Sequence, residues 1–236
     1  MTNARPPRRR ARLAWGVFLL VACGGALAAD EFESRVRPCY ACHGEQGRAT
    51  RDGYFPRIAG KPAGYLFEQL LHFRDGRRVN DEMSYLVDRQ REDTLRRMAE
   101  HFAVLELPHA PPPAVGADQE ALERGRRLVQ DGDPARELPA CSACHGSAMT
   151  GIEPFVPGLL GLPHDYLAAQ LGAWREGIRR AREPDCMAQI ARRLAPADIA
   201  AVSAWLASQP MPVPARAEAG PLREPPIPCG ALQIAP

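Results

Sequence analysis

Lysine is almost missing from this 236-residue chain: Lys61 stands alone. Any cationic docking face must therefore be built from arginine, for example Arg74, Arg77 and Arg78 or Arg175, Arg179 and Arg180. At helix ends such arginines read mainly as solvated charges that suit the helix dipole. No stretch alternates apolar and polar residues with period two, so strands are not expected. The apolar run Leu13–Ala22 is too short for a membrane-spanning helix. A basic tract is also lacking outside the N-terminus. The first 29 residues hold Arg5, Arg8, Arg9, Arg10 and Arg12 and no acid, so their removal turns the formal charge of +2 into −3. A mildly acidic chain does not suit nucleic acid, whose binding rests on neutralised phosphates.

What the N-terminus does have is a basic segment, an apolar run and then small residues. Residues 1–29 therefore read as an export signal, and the compartment as a bacterial periplasm. Two processing readings compete. Ala26-Leu27-Ala28 suits ordinary signal peptidase and is preferred. Leu20-Val21-Ala22-Cys23 resembles a lipobox, which would lipidate Cys23 and tether the chain to a membrane. Twin-arginine export fits less well, because the arginines lack the usual following context.

The rest of the chain repeats itself. Within Tyr54–Arg78 and Pro154–Arg180, Pro56 aligns with Pro157, Gly60 with Gly161 and Tyr65 with Tyr166. Gln69 aligns with Gln170, Phe73 with Trp174 and Gly76 with Gly177. Each copy follows a hexapeptide, CYACHG at 39–44 and CSACHG at 141–146. The predicted organisation is domain one at 30–106, a Pro-rich linker at 107–117, domain two at 118–209 and a Pro-rich tail without a core pattern at 210–236. Helical spacing marks Tyr65, Leu66, Gln69, Leu70 and Phe73, with a stop at Asp75-Gly76. It also marks Leu95, Met98, Phe102 and Leu105, and their counterparts Ile199, Val202 and Leu206. A further helix starts from an Asp118 cap and carries Leu122, Gly125, Leu128 and Val129. Gly125 on its apolar face would let another helix cross closely.

C-x-x-C-H is the signature of covalent c-type haem attachment. Two cysteines one helical turn apart can form thioethers to one porphyrin, and the next residue presents imidazole to the iron. Cys39, Cys42 and His43 would hold one haem; Cys141, Cys144 and His145 would hold a second. A four-cysteine zinc site expects pairs ~15–20 residues apart, and a thioredoxin-type redox pair expects a βαβ context. Neither pattern is present. The sixth ligand should occupy equivalent places in both copies. Met83 and Met187 do so, each 12 residues before the first apolar position of the last helix, Leu95 or Ile199. Methionine ligation raises the reduction potential. Met98 reads as core, and Met149 lies too near His145. His72, His164, His101 and His109 keep no common register. Carbonyls near Pro56 and Pro157 are placed to accept the second imidazole N–H.

These features resemble the two-domain, di-haem class I cytochromes c of the cytochrome c4 type, over nearly all of Glu31–Gln209. The resemblance implies an all-α fold of two tandem domains about a pseudo-twofold axis, with haem propionates facing across the interface. It implies Cys39, Cys42, His43 and Met83 for one haem, Cys141, Cys144, His145 and Met187 for the other, and His43, Met83, His145 and Met187 as the iron ligands. It also implies proline carbonyls at Pro56 and Pro157 as the histidine partners. The expected function is respiratory-chain electron transport rather than catalysis: electrons pass from a quinol-oxidising complex or dehydrogenase to a terminal oxidase or reductase. The alternatives are a haem subunit of a dehydrogenase complex and, less well supported, a di-haem peroxidase with one open iron position. The departures from the family are the long tail, Cys186 and Cys229. An even remainder of cysteines in an oxidising compartment suggests a disulfide that would tie the tail beside the Met187 loop. Two unpaired thiols are the other reading.

Overall fold

The computed structural model describes residues 32–50, 52–220, 222 and 224–232. The processing sites at Cys23 and Ala26–Ala28 lie outside them. The chain up to Ala41 and the chain from Cys42 form separate units. Helix α1 covers residues 32–43. Val36 is buried, and Tyr40 Oη donates to Glu33 Oε1 at 3.3 Å.

From Cys42 onward, α2 (Ala63–Arg74), α3 (Asp81–Val87) and α4 (Glu92–Ala103) belong to the first repeat. Helices α5 (Gln119–Gln130), α6 (Ser142–His145), α7 (His164–Arg175), α8 (Cys186–Arg193) and α9 (Pro196–Ser208) belong to the second. The apolar periodicity accounts for the long ones. Leu66, Phe67, Leu71 and Phe73 of α2 are buried, as are Leu95, Met98 and Phe102 of α4. Gly76, at φ 70°, stops the α2 segment where a side chain would be strained. Asp118 caps α5 by accepting from the Ala121 N–H at 2.8 Å. Helix α9 opens on Pro196, and the Asp198 carboxylate reaches back to the Ala195 N–H at 2.9 Å.

Helix α2 packs on α3 and α4, α5 packs on α9, and α7 packs on α8 and α9. Gly125 sits where α5 crosses α9: a Cβ there would lie 2.2 Å from the Ala201 carbonyl oxygen. The close crossing expected at this glycine is present. Leu128, Val129, Leu167, Ile199 and Leu206 form the centre of the second repeat's core.

Two features differ from the sequence reading. Gly151–Ile152 and Val156–Pro157 form a two-residue antiparallel hairpin, too short to show any alternation. The methionine segments are not loops: Met83 and Met187 lie in the short helices α3 and α8. The tail, though irregular, is anchored. Glu218 adds a parallel bridge to Ile152, its N–H donating to Gly151 O at 2.8 Å. Further on, Cys229 is disulfide-bonded to Cys186. Arg57 ties down the start of the linker by donating to Leu107 O at 2.6 Å and Pro108 O at 3.2 Å.

Candidate haem centres

Both hexapeptides sit at a helix end followed by a left-handed glycine. Cys144 and His145 close α6 and Gly146 follows at φ 86°; residues 42 and 43 close α1 and Gly44 follows at φ 74°. A Cβ on Gly44 would lie 2.4 Å from Ala49 O, so the turn that carries the chain away beneath the histidine needs glycine.

His43 and His145 are both buried. His43 Nδ1–H donates to Pro56 O at 2.8 Å, and His145 Nδ1–H donates to Pro157 O at 2.8 Å. A carbonyl can only accept, so the proton resides on Nδ1 and the Nε2 lone pair remains for a metal. Burial holds both imidazoles below their ordinary pKa, against the pull of the proline carbonyl. A nearby cation adds to the lowering, Arg78 at His43 and Lys61 at His145. Both rings are therefore neutral at pH 7.

Cys42, Cys141 and Cys144 are half-buried and belong to no disulfide, and Cys39 is half-buried too. Burial, and then the neighbouring Cys144, pushes the Cys141 thiol up to about 12; burial also raises Cys144. A redox C-x-x-C pair has the opposite character, a lowered thiol pKa. Among the described residues no three His, Cys, Asp or Glu side chains converge to hold a metal ion.

Met83 is the third residue of α3, and its N–H donates to the capping Asn80 Oδ1 at 2.9 Å. Met187 is the second residue of α8, whose cap Asp185 accepts from the Ala188 N–H at 3.0 Å. Each stands nine residues before the start of its repeat's last helix, and each is half-buried. The other candidates go elsewhere. Met98 and Met149 are buried, Met149 in the second repeat's core. His72 Nε2 lies 3.5 Å from Glu68 Oε2, and His164 Nδ1 lies 2.7 Å from its neighbour Asp165.

The arginine reading needs correction. Arg74 and Arg77 do pair near the surface, with Asp75 and Glu92. Arg78 and Arg179, however, are buried between the repeats. Arg78 donates to Gln69 Oε1 at 3.0 Å and, across the interface, to Tyr166 Oη and Gln170 Oε1 at 2.8 Å each. Arg179 donates to Gln170 Oε1 and to Gln69 Oε1, both at 2.7 Å. Each stacks on its own repeat's aromatic residue, Arg78 4.5 Å from Phe73 and Arg179 3.7 Å from Trp174. The register that aligns Gly76 with Gly177 also aligns these arginines, which was the available signal. Their burial depends on the other repeat, which no local pattern shows.

This interface tests whether a haem fits. Among the described residues neither buried guanidinium pairs with a carboxylate, and the buried Trp174 Nε1–H has no acceptor. Buried cations and donors require partners. Haem propionates are anionic acceptors of the kind these donors need, and the neutral thiols and free Nε2 atoms suit the rest of the group.

Comparison with known proteins gives the same family. The cytochrome c family model matches residues 122–210. A thiosulfate dehydrogenase electron acceptor from Thiomonas intermedia is 36% identical over 73% of this chain and 79% of its own length. Cytochrome c4 of Pseudomonas aeruginosa is 33% identical over 82% of this chain and 94% of its own. The crystal structure of reduced cytochrome c4 from Pseudomonas stutzeri superposes with a TM-score of 0.65 at 28% identity, over 76% of this chain and 97% of that one. The chain belongs to the cytochrome c family as an electron-transfer protein of the di-haem cytochrome c4 type, with two c-type haems in tandem class I domains.

Proposed function

We propose that Cys39 and Cys42 anchor one haem, with His43 and Met83 as its axial ligands. Cys141 and Cys144 anchor the other, with His145 and Met187. The observation that carries this reading is the pair of Nδ1–H···O=C bonds, His43 to Pro56 and His145 to Pro157. Each fixes ring orientation and tautomer so that Nε2 presents its lone pair. When bound, each haem supplies a reversible one-electron couple at its iron. The protein's part is to hold and tune it. Met83 and Met187 close the sixth position against substrate, which favours a carrier over a peroxidase. Arg78 and Arg179 would offset the charge of the haem propionates, and the Trp174 N–H would donate to them.

The export signal supports a periplasmic carrier, soluble or tethered through Cys23. The relative's name, an electron acceptor of thiosulfate dehydrogenase, supports an inorganic-sulfur dehydrogenase as the class of donor. The acceptor is then a terminal oxidase or reductase. A redox titration of the purified protein, followed by absorption spectroscopy, tests the haem assignment. Two low-spin haems per chain are expected, with a near-infrared methionine-to-ferric-iron band that falls by about half in Met83→His or Met187→His. A five-coordinate, high-spin haem overturns it. Stopped-flow reduction by thiosulfate dehydrogenase tests the donor.

A further inference from the structure

The two repeats differ electrostatically at one aligned position. Lys61 follows Gly60, and its counterpart after Gly161 is Leu162. The buried Lys61 side chain crosses into the second repeat, where Nζ donates to the Gly158 carbonyl at 2.6 Å. Gly158 directly follows Pro157, whose own carbonyl holds His145 Nδ1–H. The charged and titratable groups facing Lys61 are Arg57 from the Pro56 loop, His109 from the linker and His145 from the haem motif. None of them is an acid. An ammonium shielded from water acts at close range with little screening. A ferric haem carries one more positive charge than a ferrous one, so a neighbouring buried cation favours reduction.

We propose that Lys61 is a positioning residue lent by the first repeat to the second centre: it pins the Pro157–Gly158 loop under His145, and its charge raises the reduction potential of the haem held there. The proposal rests on the assignment of that haem to Cys141, Cys144, His145 and Met187. Burial, and then Arg57, lowers the Lys61 ammonium to about 7. Adding an electron to the iron favours the proton on Nζ. The potential of the second haem therefore falls as pH rises through neutrality.

Spectroelectrochemical titration of the holoprotein across neutral pH tests this, with the second haem identified as the wave that Met187→His displaces. In Lys61→Met and Lys61→Leu, the latter being the second repeat's own residue, that wave moves to lower potential. At the wild-type midpoint its reduced-to-oxidised ratio falls by about threefold or more. Its pH slope disappears, and the first haem's wave stays in place. An unmoved second wave, or an equal shift of both waves, overturns the proposal. A wild-type second wave that is flat across neutral pH overturns it without any variant. A second haem missing from the wild-type protein overturns the haem assignment and this proposal together, whereas a second haem present with an unmoved wave overturns the role of Lys61 alone.

Discussion

Arg78 and Arg179, aligned residues of the two repeats, share their acceptors: both donate to Gln69 Oε1 and Gln170 Oε1, at 2.7–3.0 Å. Two guanidiniums meeting over neutral oxygens repel each other. Burial, and then Arg78, brings the Arg179 pKa down to about 10, so Arg179 remains charged at neutral pH. Gln69, Gln170 and Tyr166 offset part of that repulsion, and haem propionates would offset more. In the holoprotein Arg179→Met therefore leaves these acceptors short of a donor. It should lose about 1–3 kcal/mol, read as a fall of several degrees in the thermal midpoint.

Gly125→Ala sets two effects against each other. Alanine favours the helix by about 1 kcal/mol. Its Cβ would lie 2.2 Å from Ala201 O and 2.8 Å from the Trp205 Cβ, so α5 and α9 must separate. Overpacking of this kind costs about 1–3 kcal/mol, and the sequence spacing places Leu128 and Val129 on the face that would be lifted. Chemical denaturation should show a net loss of stability.

The Cys186–Cys229 bond closes a loop with a sequence separation of 43. It joins the tail to the residue before Met187, while Glu218 accepts from Ser147 Oγ at 2.9 Å, two residues past His145. The tail is thus tied to the segments that carry His145 and Met187. Mass spectrometry without reductant should find neither thiol open to alkylation. Cys186→Ala/Cys229→Ala should lower stability by up to about 4 kcal/mol and weaken the near-infrared methionine band of the second haem, leaving the first unchanged.

Glu68 of α2 accepts from Arg182 Nε at 2.7 Å and Nη2 at 3.1 Å, across the repeats. Burial alone would raise this carboxyl; the nearby His72 imidazole and the hydrogen bonds from Arg182 outweigh it and bring the pKa from 4.5 to about 2. The folded value lies below the unfolded one. The stabilisation is therefore complete above the ordinary carboxylate range and is lost as pH falls from about 4.5 toward about 2. Glu68→Gln should lower the thermal midpoint at neutral pH, and its difference from wild type should close over that acid window.

Helices α2, α4, α5 and α9 were legible because each runs 12 or 13 residues with a periodic apolar face. Helices α3 and α8 were not, at seven and eight residues. Their caps, Asn80 and Asp185, start them without a periodic stripe to announce them. The histidine partners were legible from register, since Pro56 and Pro157 follow their histidines by 13 and 12 residues. Most of the helix-end arginines read as solvated, and for Arg78 and Arg179 that reading misses their burial for a physical reason. An arginine after a helix end is exposed unless something covers it, and what covers each of these is the other repeat.

By itself the sequence determined the duplicated chemistry. Two thiols and an imidazole within one helical turn suffice to mark a c-type haem, because thioether attachment and iron ligation are set by local spacing. The tertiary structure alone decided that Lys61 meets Gly158 and that two like charges share two glutamines, and it chose a disulfide over free thiols at Cys186 and Cys229. Those contacts join residues about 40 to 110 positions apart. Burial and long-range charge arise only when the repeats pack, so they tune the two centres differently although the motifs that hold them are alike.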